Sequence, residues 1–310
     1  MEFSANLMSP TLAPGPWAAE REAEGWDVVT VADHLWTSTR PYPHVWVTAT
    51  ALATATRTIR VGTAFANNLF RHPVEFVQAS LALQSVSGGR FEAGLGAGWA
   101  QLEMEQTGRP FPPPGERAGR YLEALRIARD LFDHGEVDFV GRWYEVHVPR
   151  IGPRPAVPPP LVGSLGGPRT IRGGVGLLDR VEVKVASAVT SGGGLDLAAL
   201  GRLPVSHARR LIAEIRAERA DVPLSVFALC RVGDDEATRA FAAGFERDSF
   251  YGPFMGPAAQ VAEAMWGLAE LGVDRVQVSP FNDDAYAHLA PHLFGTEVSR
   301  RRATPAASPA

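Results

Sequence analysis

Residues 28–36 read V-V-T-V-A-D-H-L-W: a run of β-branched and small residues stops abruptly at an acid, an imidazole and a large aromatic. A buried parallel strand ends in this way. In an α/β barrel the strand C-termini carry the site, because the loops that follow them converge on one mouth. Asp33, His34 and Trp36 are therefore the first candidate functional residues.

Outward from this stretch the same unit recurs. Short β-like runs at Glu2–Leu7, Val28–Ala32, Ile59–Phe65, Phe91–Gly96, Pro160–Gly163, Val181–Val185, Leu224–Val232 and Arg275–Ser279 alternate with amphipathic helical patterns. Several runs are almost wholly apolar, as expected where helices cover both faces of a parallel sheet. Eight alternations predict an α/β fold, a closed (β/α)8 barrel, with insertions after strands 4 and 7. Pro73 sits at the start of a helix running to about Val86, where its missing N–H costs nothing. Between the fourth and fifth strands lie a helix from about Glu116 to Phe132 and a hairpin turning near Gly141. Ser187 to Gly194 reads as a Ser/Gly-rich, mobile loop. Residues 1–299 form one domain in this reading, and 300–310 a disordered tail.

Composition narrows the function. The 310 residues carry a net charge of −4, so no basic field is available for nucleic acid. No apolar window is long enough to span a bilayer and no signal-peptide pattern opens the chain, which predicts a cytoplasmic protein. Cys230 is the only cysteine, which excludes an internal disulfide and Cys-based metal clusters. His72, His134 and His147 lack metal-ligand spacing, and no Walker or nucleophile-elbow motif is present, so no metal site is expected.

Two glycine clusters follow strands. Gly94, Gly96 and Gly98 lead into Trp99, and L-V-G-S-L-G-G-P-R-T at 161–170 joins the fifth strand to a helix. Glycine lets backbone approach a ligand closely, but it also serves a plain tight turn. At Gly166, Gly167 and Pro168, free N–H groups at a helix start would face an anion, with Arg169 and Arg172 able to add charge.

These strings in order resemble the luciferase-like monooxygenase superfamily, most of all its deazaflavin-dependent oxidoreductases. The resemblance rests on Val28–Trp36, on I-R-V-G-T-A-F-A-N-N-L-F-R-H-P at 59–73, on L-A-L-Q-S-V-S-G-G-R-F-E-A-G-L-G-A-G-W at 81–99, and on the run from Gly256 to Pro280. It implies a luciferase-like barrel and a cofactor held by Ala64, Phe65, Ala66, Asn67, Gly96, Gly98, Trp99, Leu165, Gly166, Gly167 and Arg169. It also implies a non-prolyl cis peptide at Ala64–Phe65. Related sugar-phosphate dehydrogenases have an acidic glutamate where this chain has Trp99, so their mechanism does not transfer whole.

The implied function is hydride transfer between coenzyme F420 and a small organic substrate. His34 is the acid/base candidate because imidazole titrates near neutrality. Asp33 would bind a cofactor hydroxyl or orient the histidine, and Trp36 would wall the ring or substrate. An FMN-dependent monooxygenase is the alternative, since FMN shares the tricyclic ring and phosphate chain. A non-catalytic barrel that has lost its cofactor is the third reading. The arginine-rich, GC-biased composition, with Lys184 the only lysine, favours F420 through its actinobacterial association. The resemblance further implies a homodimer. Asn68, Arg71 and His72 are weaker ligand candidates. Trp143, Phe250, Tyr251 and Phe254 are candidates for the mouth, and Glu103 and Glu105 read as helix-dipole carboxylates.

Overall fold

A computed structural model describes residues 1–8, 13–36, 41–190 and 193–295. Eight parallel strands close on themselves: β1 (Glu2–Leu7), β2 (Val28–Val31), β3 (Arg60–Thr63), β4 (Phe91–Gly96), β5 (Leu161–Leu165), β6 (Arg180–Val183), β7 (Leu224–Val232) and β8 (Arg275–Pro280). Closure comes from β7, which pairs with β8 from Ser225↔Arg275 to Cys230↔Pro280 and with β6 at Leu224↔Val181 and Ser225↔Glu182. This is the (β/α)8 barrel that the alternating pattern predicts.

One helix packs behind each strand: α1 (Pro14–Glu24), α2 (Val45–Ala55), α3 (Pro73–Val86), α4 (Pro114–His134), α5 (Pro168–Gly174), α6 (Val205–Glu218), α7 (Ala258–Gly267) and α8 (Ala285–Phe294). Strand residues that face them, such as Phe3, Ala5, Val29, Val61, Val181 and Val276, are fully buried. The helix starts are set by local chemistry. At α3, Nδ1 of His72 accepts the Val74 N–H at 3.3 Å while the His72 N–H reaches Glu75, a reciprocal cap ahead of Pro73. His72 also meets Tyr144 edge-on at 5.5 Å, so it caps the start of α3 and packs against the hairpin.

Inward-facing residues divide the barrel axis into a charged floor and an open top. At the N-terminal end Arg275 pairs with Glu92 through two bonds of 2.5 and 2.9 Å and with Glu2 at 2.9 Å. Arg60 joins Glu2 and Glu92, and Arg180 joins Glu2. Paired in this way, the buried Arg275 and Glu92 and the partly exposed Glu2 and Arg60 compensate one another's charge and plug the floor. Above them Thr30 donates to Asn6 at 3.2 Å and Asn6 donates to Ser279 at 3.1 Å, leading up to the strand ends.

Among the described residues the larger insertions follow β4, β6 and β7. After β4 come the short helix Gln101–Gln106 and, beyond α4, a hairpin of Val137–Val140 and Glu145–Val148. A single carboxylate, Glu123 on α4, fixes its turn by accepting the N–H groups of Arg142, Trp143 and Tyr144 at 2.8 to 3.1 Å. After β7 come Glu236–Ala242 and the short strand Met255–Gly256. The stretch after β6, read from sequence as a Ser/Gly loop over 187–194, instead contains the helix Ser187–Thr190, followed by Leu197–Leu200. Its start is tied down, since Ser187 Oγ donates to the Gly166 carbonyl at 2.9 Å. The tail expected at 300–310 lies outside the described residues.

Candidate active site

At the strand C-termini a cavity of about 460 Å³ opens on the barrel axis. Residues on or just after all eight strands line it, with Phe227 and Leu229 on β7 and Ser279 on β8. Asn6 lies on β1, Asp33 and His34 follow β2, Ala64 to Asn67 follow β3, Gly96 to Trp99 close β4, Gly166 and Gly167 follow β5, and Lys184 follows β6. Asp33 and the Gly166 turn thus face the same space.

His34 is held from three sides. Its Nδ1 lies 2.5 Å from Oε1 of Glu103, and the other Glu103 oxygen accepts the Leu35 N–H at 2.7 Å. Tyr42 and Trp99 meet the imidazole edge-on, with centroids at 5.6 and 5.4 Å. Glu103 is only 2% exposed. Glu103 stands in the first turn of the helix Gln101–Gln106, as the sequence reading had it, and the long-range contact with His34 adds a role which that reading did not give it. Glu105 does remain local, accepting from Gln101 at 2.6 Å.

Asp33 does not orient His34. Its carboxylate accepts the Asn67 N–H at 2.8 Å and pairs with Arg71, which locks the end of β2 to the segment leaving β3. Arg71 is accordingly a brace outside the cavity lining. In that segment the Ala64–Phe65 peptide is cis, where the sequence match put it. Ala66–Asn67 then pairs with Leu95–Gly96 of β4, and the Asn67 side chain accepts the Leu69 N–H at 2.9 Å.

The glycines beside it leave no room for a side chain. A Cβ on Gly94 would lie 1.9 Å from the Thr63 carbonyl oxygen, and one on Gly96 would lie 3.0 Å from Cβ of Phe65. Gly98 has φ +80° and a Cβ there would meet Oδ1 of Asn67 at 2.5 Å. The glycines therefore let the end of β4 pack directly on the Thr63–Leu69 segment, and Gly96 and Gly98 line the cavity beside Phe65 and Asn67 without side chains of their own.

Three sequence candidates lie off the cavity lining. Trp36 bridges to Pro41 instead. Leu165 is fully buried: side chains alternate along β5, so Ser164 faces in and Leu165 faces the helices. Arg169 donates to the Gly115 carbonyl at 2.9 Å and lies 6.0 Å from the Trp143 ring, while Thr170 faces the cavity. Of the aromatic mouth candidates only Tyr251 lines the cavity; Phe250 and Phe254 pack in the core, and Trp143 covers Gly119 of α4. Arg172 and Asn68 are likewise off the lining.

Sequence reading missed Tyr42, Arg117 and Lys184, all on the lining. Burial, reinforced by the neighbouring Arg117 charge, brings the Lys184 amine down to about 8. One layer below on β6, Glu182 is fully buried; burial pushes its carboxyl up to about 8 against the pull of Ser225, the Phe227 backbone, Arg275 and Arg180. Among the described residues no group of His, Cys, Asp and Glu is arranged to hold a metal, and no helix is long and apolar enough to cross a membrane.

The luciferase-like monooxygenase family matches residues 16–271, most of the chain. The chain belongs to this family. Within it, the chain is 29% identical over 297 aligned residues to the F420-dependent glucose-6-phosphate dehydrogenase of Amycolatopsis mediterranei, covering 89% of this chain and 84% of that protein. Among solved structures, an F420-dependent secondary alcohol dehydrogenase in complex with an F420–acetone adduct superposes with a TM-score of 0.72 at 16% identity, covering 96% of this chain and 98% of the other. A monooxygenase from Streptomyces bottropensis superposes with a TM-score of 0.70 at 15% identity, covering 97% and 100%. At such identities the two structures speak for the fold. In luciferase-like terms, the cis Ala64–Phe65 segment and the Gly96–Gly98 loop stand side by side on one wall, with His34 on the same cavity.

Proposed function

We propose that this luciferase-like protein is an oxidoreductase that transfers hydride between coenzyme F420 and a small organic substrate, with His34 as its acid/base. The observation that carries the reading is the His34–Glu103 pair on the cavity that the glycine-walled β4 end also lines. The F420-dependent activity of the Amycolatopsis relative supports the choice of coenzyme.

The residues present suit such a group. Gly96 and Gly98 line the cavity beside Ala64 to Asn67, and Gly94 lets β4 pack directly on Thr63 and Phe65. The Gly166–Gly167 turn would hold the cofactor phosphate through backbone N–H groups. F420, when bound, supplies two-electron hydride chemistry at its deazaflavin ring. The protein's part is orientation and proton handling. With Nδ1 engaged by Glu103, Nε2 of His34 is the atom left to take a proton from, or return one to, a substrate oxygen. Trp99 and Tyr42 fix the plane of the imidazole and shed water from it.

Titration of the purified protein with F420, followed by deazaflavin fluorescence, tests the reading. Submicromolar quenching by F420 is expected. A response to FMN alone would move the chain to the monooxygenase reading, and a response to neither would return it to a barrel without cofactor. In the same reading residues 1–299 act as one domain in a cytoplasmic homodimer. Exposed Val47 of α2 and Val86 of α3 are candidate contacts, and sedimentation of the wild type checks the pairing.

A further inference from the structure

The short helix Gln101–Gln106 presents two different sides. Glu103 is buried and holds His34, whereas its neighbour Leu102 is 62% exposed. The start of this helix is bound to the segment after β6, since the Gln101 N–H donates to the Gly193 carbonyl at 3.1 Å. Two residues beyond that bond stands Leu195, 36% exposed and on the cavity lining, and two further on stands Leu197, 43% exposed. Among the described residues these three are the exposed leucines, and the other large apolar side chains in the open are valines elsewhere. The segment is fixed, because the Asp196 N–H donates to the Val189 carbonyl at 3.1 Å and the Asp196 carboxylate accepts the Ala199 N–H at 2.9 Å. One exposed leucine is ordinary; three around a single bond at the mouth of a cavity mark a lip that something apolar covers.

One arc of the interior has the same character. From β7, β8, β1 and the loops after them, Phe227, Leu229, Phe281 and Met8 line the cavity, and no charged side chain does. The amide and hydroxyl on that arc bond each other, Asn6 donating to Ser279 at 3.1 Å. Space is short as well. A cavity of about 460 Å³ is low in the range of roughly 300 to 1,000 Å³ that holds a single small ligand, and on the F420 reading two reactants share it. With a coenzyme ring seated inside, a substrate of any length keeps only its reacting end in the cavity, and its body passes over Leu195 to the lip.

We propose that the substrate is an uncharged alcohol, or the corresponding carbonyl compound, whose reacting oxygen meets His34 while an extended apolar body leaves along Leu195 and covers Leu102 and Leu197. The alcohol or carbonyl head rests on the F420 reading, whereas the apolar body rests on the lip. A charged or polyhydroxylated body would leave the leucines in water and gain nothing from them. The helix Gln101–Gln106 thus serves both ends of one substrate, with Glu103 setting the imidazole and Leu102 receiving the body.

A homologous series tests it. Alkan-2-ones from butanone to decan-2-one are titrated by ligand-observed NMR into protein holding oxidised F420, with which a ketone cannot react, so the readout is affinity alone. Kd should fall by about two- to fourfold for each CH2 group laid on the lip. The double variant Leu102→Ser/Leu197→Ser, both positions exposed and its fold checked by thermal melts, should flatten that dependence for the long members and leave butanone unchanged. Leu102→Met/Leu197→Met should restore it. In turnover with F420, kcat/KM for the matching alkan-2-ols should rise along the series with the same dependence on the two leucines. If wild type does not bind F420, the F420 reading falls, and the ketone series titrated into the protein alone decides the lip. Affinity that is flat along the series, or a slope that the serine pair leaves intact, overturns the proposal. So does turnover of glucose 6-phosphate in preference to every alkanol. Sedimentation showing a wild-type dimer that the serine pair dissociates, with the slope unchanged, gives the leucines to a subunit contact and overturns it as well.

Discussion

Oε1 of Glu103 lies 2.5 Å from Nδ1 of His34, although 69 positions separate them along the chain. The same carboxylate accepts the Leu35 N–H, so one buried acid sets both the imidazole and the backbone beneath it. His34→Ala is expected to lower kcat by about 100-fold or more while coenzyme Kd stays within about threefold. Glu103→Ala should lower kcat by about tenfold or more with the same split. Steady-state kinetics beside fluorescence titration make the check; unchanged turnover in either variant removes that residue from the mechanism.

Trp99 faces His34 edge-on at 5.4 Å from the cavity wall. An indole there occupies space that substrate would otherwise fill, so Trp99→Ala should admit bulkier substrates. Across a panel of small alcohols and aldehydes, kcat/KM ratios between large and small members should change by about tenfold or more. Constant ratios would mean that Trp99 does not select.

Gly94 and Gly98 separate two demands on glycine. A Cβ on Gly94 would collide with the Thr63 backbone, which cannot yield, so Gly94→Ala should cost at least about 3 kcal/mol and lower Tm by roughly 6 to 12 °C. At Gly98 the obstacles are the positive φ and the Asn67 and Leu69 side chains. Gly98→Ala should therefore stay folded and lose coenzyme affinity. Differential scanning calorimetry and titration distinguish them, and a Gly94→Ala melt equal to wild type would refute the packing argument.

Glu182 predicts a pH-dependent stability of known sign. Its folded pKa, about 8, exceeds its ordinary 4.5, so the folded state holds the proton more tightly. Stability from this group therefore falls as pH rises from 4.5 towards 8 and stays low above. Glu182→Gln, which never ionises, should match wild type near about pH 5 and melt a few degrees higher above about pH 8.5. An offset that is the same at every pH would contradict this.

The barrel was legible because its signals are local. β1, β4 and β7 begin and end at the residues that the apolar runs mark, and α3 runs from Pro73 to Val86 between a proline start and a Ser-Gly-Gly stop. The site was legible wherever backbone makes it, as at Ala64–Phe65, Gly96 and Gly98. Glu103, Arg117 and Lys184 were not, because each has a sufficient local explanation: an acid opening a helix, a cation on an amphipathic helix, a lysine among valines. Their meaning lies in neighbours dozens of residues away. Leu165 and Arg169 failed for the opposite reason, since they lie beside the right loop but face away from it.

The ion pairs of Arg275, Glu92, Glu2, Arg60 and Arg180 make the barrel a stoppered well. Whatever enters along the axis must leave by the same rim. On the F420 reading, two reactants then share one doorway, and the one seated deeper against Phe65 is released last. Binding order would follow from architecture, and product inhibition patterns would carry its signature.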